Sequence, residues 1–167
     1  TFTWQSFANA SDIEMSVSLT DDADDTNDAH VLDIDDVDDT DDVEILAFTI
    51  ENEGDVDITV NDIPVVITTT GDEATKLLGA TLWVDNDQIS SDSVPTGGAV
   101  VFEDLDLDID AGDSVDFVVA VDIQDTTGAA DNGDTVQATV TVDDIDADDS
   151  EGDAISDANA TGSAIGG

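Results

Sequence analysis

Alternation of apolar and acidic residues is what most limits the folds open to this chain. Around Leu105, Leu107 and Ile109, the acids Asp104, Asp106, Asp108 and Asp110 occupy every second position. Side chains that change sides at each residue belong to extended backbone, where successive Cβ atoms point to opposite faces. A helix built on these residues would spread Leu and Asp over every side. The same period runs through Ile13, Met15, Val17 and Leu19, then through Val56, Ile58 and Val60. It returns in Val115, Phe117, Val119, Val121 and Ile123, and in Val136, Ala138, Val140 and Val142. Val43–Ile50 is apolar on both faces, Ile63–Thr70 is rich in β-branched residues, and Leu78–Val84 follows. Only 71–78 has the composition to start a helix.

Turn signals divide these runs. Asn52-Glu53-Gly54-Asp55 stands between Val43–Ile50 and Val56–Val60, a spacing that reads as a hairpin. Asp85-Asn86-Asp87 and Ala111-Gly112-Asp113 mark further turns, and Gly128–Gly133 a loop. Pro64 places its end of a strand at a sheet edge or a strand start. Between Asp21 and Asp42 the chain is acidic and of low complexity, with room for a short strand around His30–Ile34. About nine strands, each with one wet face, predict an all-β fold, a single β-sandwich of immunoglobulin-like or jelly-roll-like type. The expected divisions are an N-terminal strand (1–20), an acidic loop region (21–42), the sandwich core (43–143) and an acidic, then Gly/Ala-rich, C-terminal segment (144–167).

Charge narrows the function. Thirty-seven Asp and seven Glu face one Lys, no Arg and one His, for a net charge of −43. Nucleic-acid binding needs cations to displace counterions from phosphate, and this chain has one. An anionic membrane surface is excluded for the same reason, and no stretch nears the roughly 20 apolar residues that span a bilayer. A hydrophobic content of 40% separates the chain from acidic disordered tails. Self-repulsion of this size calls for screening, and the Debye length falls to about 3 Å near 1 M salt. The composition resembles that of proteins from extreme halophiles. Cysteine is absent, so disulfides and thiolate metal sites are too. A start at Thr1 is what removal of a secretion signal leaves, and equally what a fragment of a longer chain shows; the first reading gives the expectation of an extracellular or cell-surface protein.

No catalytic constellation stands out. His30 sits alone in an acidic stretch, without a nucleophile motif, a P-loop or a dinucleotide fingerprint, and no enzyme is expected. Ca²⁺ is the one cofactor the acids suggest, since Asp supplies the hard oxygen ligands it prefers. The clusters are Asp33, Asp35, Asp36, Asp38 and Asp39; Asp85, Asn86 and Asp87; and Asp143, Asp144, Asp146, Asp148 and Asp149 with Glu151 and Asp153. None matches an EF-hand loop, and a solvated surface explains each cluster equally well. Asp104–Asp110 spaces its carboxylates about 7 Å apart, too wide for one ion. Asn9 and Asn159 begin glycosylation sequons. Phe2, Trp4 and Phe7 are three of seven aromatic residues, gathered in the first seven positions. They open either the chain's own first strand or a segment that docks on a neighbour.

The aromatic N-terminal strand and the stretch Ala47–Val60 (AFTIENEGDVDITV) resemble secreted filament subunits of the TasA/camelysin type and their archaeal bundling-pilus relatives. The later stretch Leu107–Phe117, an apolar strand, an Ala-Gly turn and an apolar strand, is similar to theirs as well. The resemblance covers about half the chain. It implies a β-sandwich that polymerises with identical subunits by donor-strand complementation, for cell cohesion or adhesion. Phe2, Trp4, Phe7, Ile13, Met15, Val17 and Leu19 would then insert beside an exposed edge of the next subunit. The alternative is a Ca²⁺-binding β-sandwich module of a larger adhesin or surface-layer protein. A carbohydrate-binding module would have only Trp83 as an aromatic platform.

Overall fold

The computed structural model describes residues 14–21, 23–29, 31, 32, 34, 37–71, 73–125, 133–155 and 159–166. In chain order the elements are β1 (Met15–Leu19), α1 (Asp24–Asn27), β2 (Thr40–Asn52), β3 (Ile58–Thr69), α2 (Glu73–Lys76), β4 (Leu77–Val84) and β5 (Asp87–Asp92). They continue with β6 (Ala99–Phe102), β7 (Leu107–Ile109), β8 (Ser114–Ile123), β9 (Val136–Thr141), a 3₁₀ turn at Val142–Asp144, β10 (Asp146–Asp149) and β11 (Ala160–Gly166). The all-β expectation holds. Nine strands follow one path, β10-β3-β9-β11-β1-β2-β8-β4-β5, and the short β6 and β7 pair with the other flank of β3. No helix among the described residues is long and apolar enough to cross a membrane.

The path curls, so that strands on either side of β11 face each other across one apolar cluster. Phe48 of β2 and Phe117 of β8 stack at its centre, with ring centroids 5.1 Å apart and both side chains fully buried. From the other half, Ile63, Val65 and Ile67 of β3 and Phe102 of β6 close against them. Alternation makes this two-sided arrangement along β3 and β9, whereas β2, β4 and β8 each carry a run of consecutive buried residues, Ile45–Phe48, Ala80–Leu82 and Val119–Val121.

Asn52-Glu53-Gly54-Asp55 is not a hairpin turn. β2 pairs with β1 and β8, whereas β3 pairs with β6, β7, β9 and β10. The segment carries the chain from one half of the sandwich to the other, and the fully buried Asn52 side chain forms the corner. Its Nδ2 donates to the carbonyls of Val56 (2.8 Å) and Ile109 (3.1 Å), and its Oδ1 accepts the Gly54 N–H at 3.1 Å. One amide thereby satisfies three backbone groups that the crossing would otherwise strand.

Pro64 lies in mid-strand rather than at an edge. Ile67 donates toward the β6 flank, to Gly98, and Thr70 donates toward β9, to Thr135. Pro64 shares the parity of Thr70, so its missing N–H faces the β9/β10 flank. There the ladder is already interrupted, between Asp62, opposite Asp146, and Val66, opposite Thr139, by the Val142–Asp144 turn. The regular run Val100–Ile109 is likewise broken, because Asp104 and Asp106 take φ of +56° and +46° between β6 and β7.

The C-terminal segment belongs to the sandwich. β11 runs antiparallel to β9 and parallel to β1, joining the two halves. Its small residues fit a tight slot: Gly162 has φ +106°, and a Cβ there would stand 2.1 Å from the Val17 carbonyl oxygen. In the acidic region the short element is α1, not a strand, and Val31, Leu32 and Ile34 are in no strand. Asn27 closes α1 onto β2 by donating to the Ala47 carbonyl (2.9 Å) and accepting the Ala47 N–H (2.8 Å).

Candidate functional site

The carboxylates expected to hold a cation do not converge. Asp143 and Asp144 are exposed in the 3₁₀ turn, and Asp146 is exposed on β10. Strand geometry sends Asp148 outward and Asp149 inward. Asp148 Oδ2 accepts from Asn61 Nδ2 at 3.0 Å. Asp149, only 8% exposed, accepts the backbone N–H groups of Glu151 (2.8 Å) and Asp153 (2.9 Å) through one oxygen. It builds the turn that lays Ile155 back on β10, where the Ile155 N–H meets the Ala147 carbonyl. Asp85 and Asn86 have φ of +52° and +67°, the left-handed pair of a tight two-residue hairpin, and Asp87 begins β5. Among the described residues, no three His, Cys, Asp or Glu side chains are placed to share a metal ion.

Several acids instead tie distant backbone. Asp122 accepts the N–H of Asp42, Asp62 that of Asp104, Asp57 that of Ala111, and Asp39 that of Asp125, all at 2.9–3.1 Å. Periodicity shows none of these roles, because a carboxylate that caps and one that only hydrates look alike in sequence. Glu73 is held below the ordinary carboxyl range by its own backbone N–H first, then by those of Thr69 and Gly97. The single lysine, Lys76 at the end of α2, is largely covered and paired with Asp134 ahead of β9.

Of the residues expected to polymerise, Phe2, Trp4, Phe7 and Ile13 lie outside the described residues, as does the sequon Asn9. Asn159 is exposed just before β11. Met15 and Val17 are in the chain's own core, at 1% and 3% exposure, and only Leu19 is open, at 42%. β2 pairs with the whole of β1 on one edge and β11 with Met15–Val17 on the other. In the single chain, these three residues, expected to insert into the next subunit, lie within their own sheet. Among the described residues a seam stays open: β5 ends the strand order, β6 pairs only with β3, and the two approach without pairing.

Two further surfaces stand out, one aromatic with an acidic rim and one without charge. On the outside of β4, Trp83 donates from Nε1 to Thr81 Oγ1 at 2.8 Å and lines a shallow depression with Val118, Ala120, Asp42, Glu44, Asp85 and Asn86. The second is the outer face of β6, the C-terminal half of β3, β9 and β11. One cross-strand row there reads Ala99, Val66, Thr139 and Ile165, with Thr68 opposite Gln137 beside it. No residue in these two rows is charged. Compared with models of known protein families and with curated proteins, the chain matches none.

Proposed function

We propose that this chain is a non-enzymatic structural subunit that assembles with identical copies outside the cell, in concentrated salt, for cohesion or adhesion. The aromatic N-terminal segment of one copy supplies an added strand to the seam of the next. The open seam is the observation that carries this reading: among the described residues, β5 presents six residues at the end of the strand order, with one edge unpaired. An extended segment satisfies such an edge by main-chain bonding and uses alternate side chains as anchors. Phe2, Trp4 and Phe7 are the anchors, each worth roughly 25 cal/mol for every Å² of apolar surface removed from water. A head-to-tail contact of this kind continues into an open filament unless its rotation closes a ring. Charge of one sign opposes assembly, so high salt is required. General screening supports folding here better than a dedicated Ca²⁺ site does, because the acidic clusters are spread over different faces.

Deleting residues 1–13 tests the reading without removing β1. The full chain should form filaments in high salt under the electron microscope, and the shortened chain should remain as folded single subunits. Filaments that survive the deletion unchanged would overturn the role of the N-terminus.

A further inference from the structure

Lys76 and Asp134 reach each other from opposite halves of the sandwich: Lys76 ends α2 and leads into β4, and Asp134 lies just ahead of β9. We infer that this pair condenses within the folded chain to an amide between Lys76 Nζ and Asp134 Cγ, a covalent tie between the halves. Both partners are held in place by their surroundings. The Lys76 carbonyl accepts the Gln124 N–H at 2.9 Å, and its side-chain stem lies on Gly71, where an added Cβ would stand 3.2 Å from Cε. Beside Asp134, Thr135 exchanges main-chain and hydroxyl bonds with Thr70 at 2.9–3.2 Å. Glu73, at the start of α2, fixes that helix to the end of β3 and to the turn before β6 by accepting the N–H groups of Thr69 and Gly97. Neither reacting group has to search for the other, and their side chains are only 12% and 22% exposed.

Concentrated salt screens away most of what an ion pair near the surface contributes, whereas an amide is indifferent to salt. The pair already contains every atom the step needs. One proton passes from the ammonium to the carboxylate along the existing Nζ–Oδ2 hydrogen bond. The neutral amine then attacks Cγ of the acid, and the tetrahedral intermediate expels its hydroxyl together with a second nitrogen-bound proton as water. A C–N bond forms, a C–O bond breaks, and nothing is oxidised or reduced. One charge of each sign disappears, so the net charge stays at −43. Between free molecules such a condensation is limited by encounter and orientation. Here both are supplied by the fold, and well-oriented groups reach effective molarities of about 10⁵ M or more.

The full chain, kept folded in concentrated KCl and then denatured, would be weighed by intact-protein mass spectrometry. Its mass should fall short of the sequence mass by one water, in a fraction that grows with time in the folded state. Lys76→Arg keeps a cation beside Asp134 but lacks the amine, and it should retain its full mass, as should Asp134→Ala. Digestion of the water-deficient species with an acid-specific protease should release the segments around Lys76 and Asp134 as one branched peptide. Acylation of the same species after denaturation should leave Lys76 unlabelled. A wild type that keeps its full sequence mass overturns the inference, and this arm asks no variant to fold. Water lost equally from Lys76→Arg, or lost while Lys76 still acylates, overturns it as well, since the source is then a cyclised aspartate elsewhere. None of these readouts depends on subunits joining, so the result stands apart from that of the filament test.

Discussion

The two halves of β3 share one strand and one core but present opposite exteriors. Near its start, Thr59 lies between Asp108 and Asp148, donating to Asp108 Oδ1 at 2.8 Å, and Asn61 donates to Asp148. Past Pro64 the neighbours become Ala99, Thr139 and Gln137, and no acid stands among them. The inner faces do not differ, since Ile58, Val60, Ile63, Val65 and Ile67 are all buried. Acid on this protein is therefore placed, not merely abundant. One half pairs β3 with acids, and along the other the nearest acid, Glu73, is turned onto the backbone of Thr69 and Gly97.

The largest effect that sharpens this contrast is loss of salt. Dialysis into dilute buffer with chelator should abolish the β-sheet circular dichroism, and concentrated KCl should restore it. Hydrogen exchange at intermediate salt should show β7 and β10 opening before β6 and β9. An unchanged spectrum without salt would show that repulsion among the acids is not limiting. The next effects come from residues that hold both halves together. Asn52→Ala strands two carbonyls and an N–H and should cost about 3 kcal/mol by denaturant titration in high salt. Gly162→Ala forces a Cβ onto β1 at a left-handed position and should cost roughly 2–4 kcal/mol.

Smaller still is the exchange of charge between the two halves. Asp108→Asn with Asp148→Asn keeps an acceptor oxygen at each site and removes two charges, so folding should reach its midpoint at lower salt. Thr68→Asp with Thr139→Asp should raise that midpoint, with effects of about 1 kcal/mol each way. Identical midpoints would mean that charge placement on β3 has no energetic meaning. The smallest effect concerns Glu73, whose folded carboxyl is held low by backbone donors. Its contribution is complete above the ordinary carboxyl value and fades as pH falls through the lower, folded one. Glu73→Gln should therefore lose less stability than wild type over that acid range, as thermal melting would report.

Alternation was enough to read the all-β class and most of the strands, because burial on one face leaves a period-two record, but it divided β3 at Asn61, merged β6 with β7, and left β5 and β10 unmarked. It could not say which strands are neighbours. Ile50 and Ile58 flank a segment with every mark of a hairpin, yet the Asn52 amide satisfies the backbone of a crossing between halves, and nothing in the spacing distinguishes the two. Pro64 misled for a related reason: whether a strand tolerates a missing N–H depends on what interrupts the opposite ladder, 78 residues later at Val142. β11 left little trace, because a strand squeezed between two others is selected for smallness at Gly162 rather than for apolar bulk. The acidic clusters were visible, but their chemistry was not. Asp148 and Asp149 are adjacent in sequence and diverge in space, and only the fold shows that the second is a backbone cap. The neutral face was hidden because its rows are assembled from four separate strands.

Lys76 has an unexpected corollary. Proteases of the trypsin class require a lysine or arginine whose side chain can leave the fold and enter a specificity pocket. This chain offers them one such residue, and its side chain is 12% exposed and engaged with Asp134. While folded, the chain gives that whole class of enzymes almost nothing to cut. A composition that replaces nearly every cation with an acid thus also removes the points at which that class of enzyme cuts.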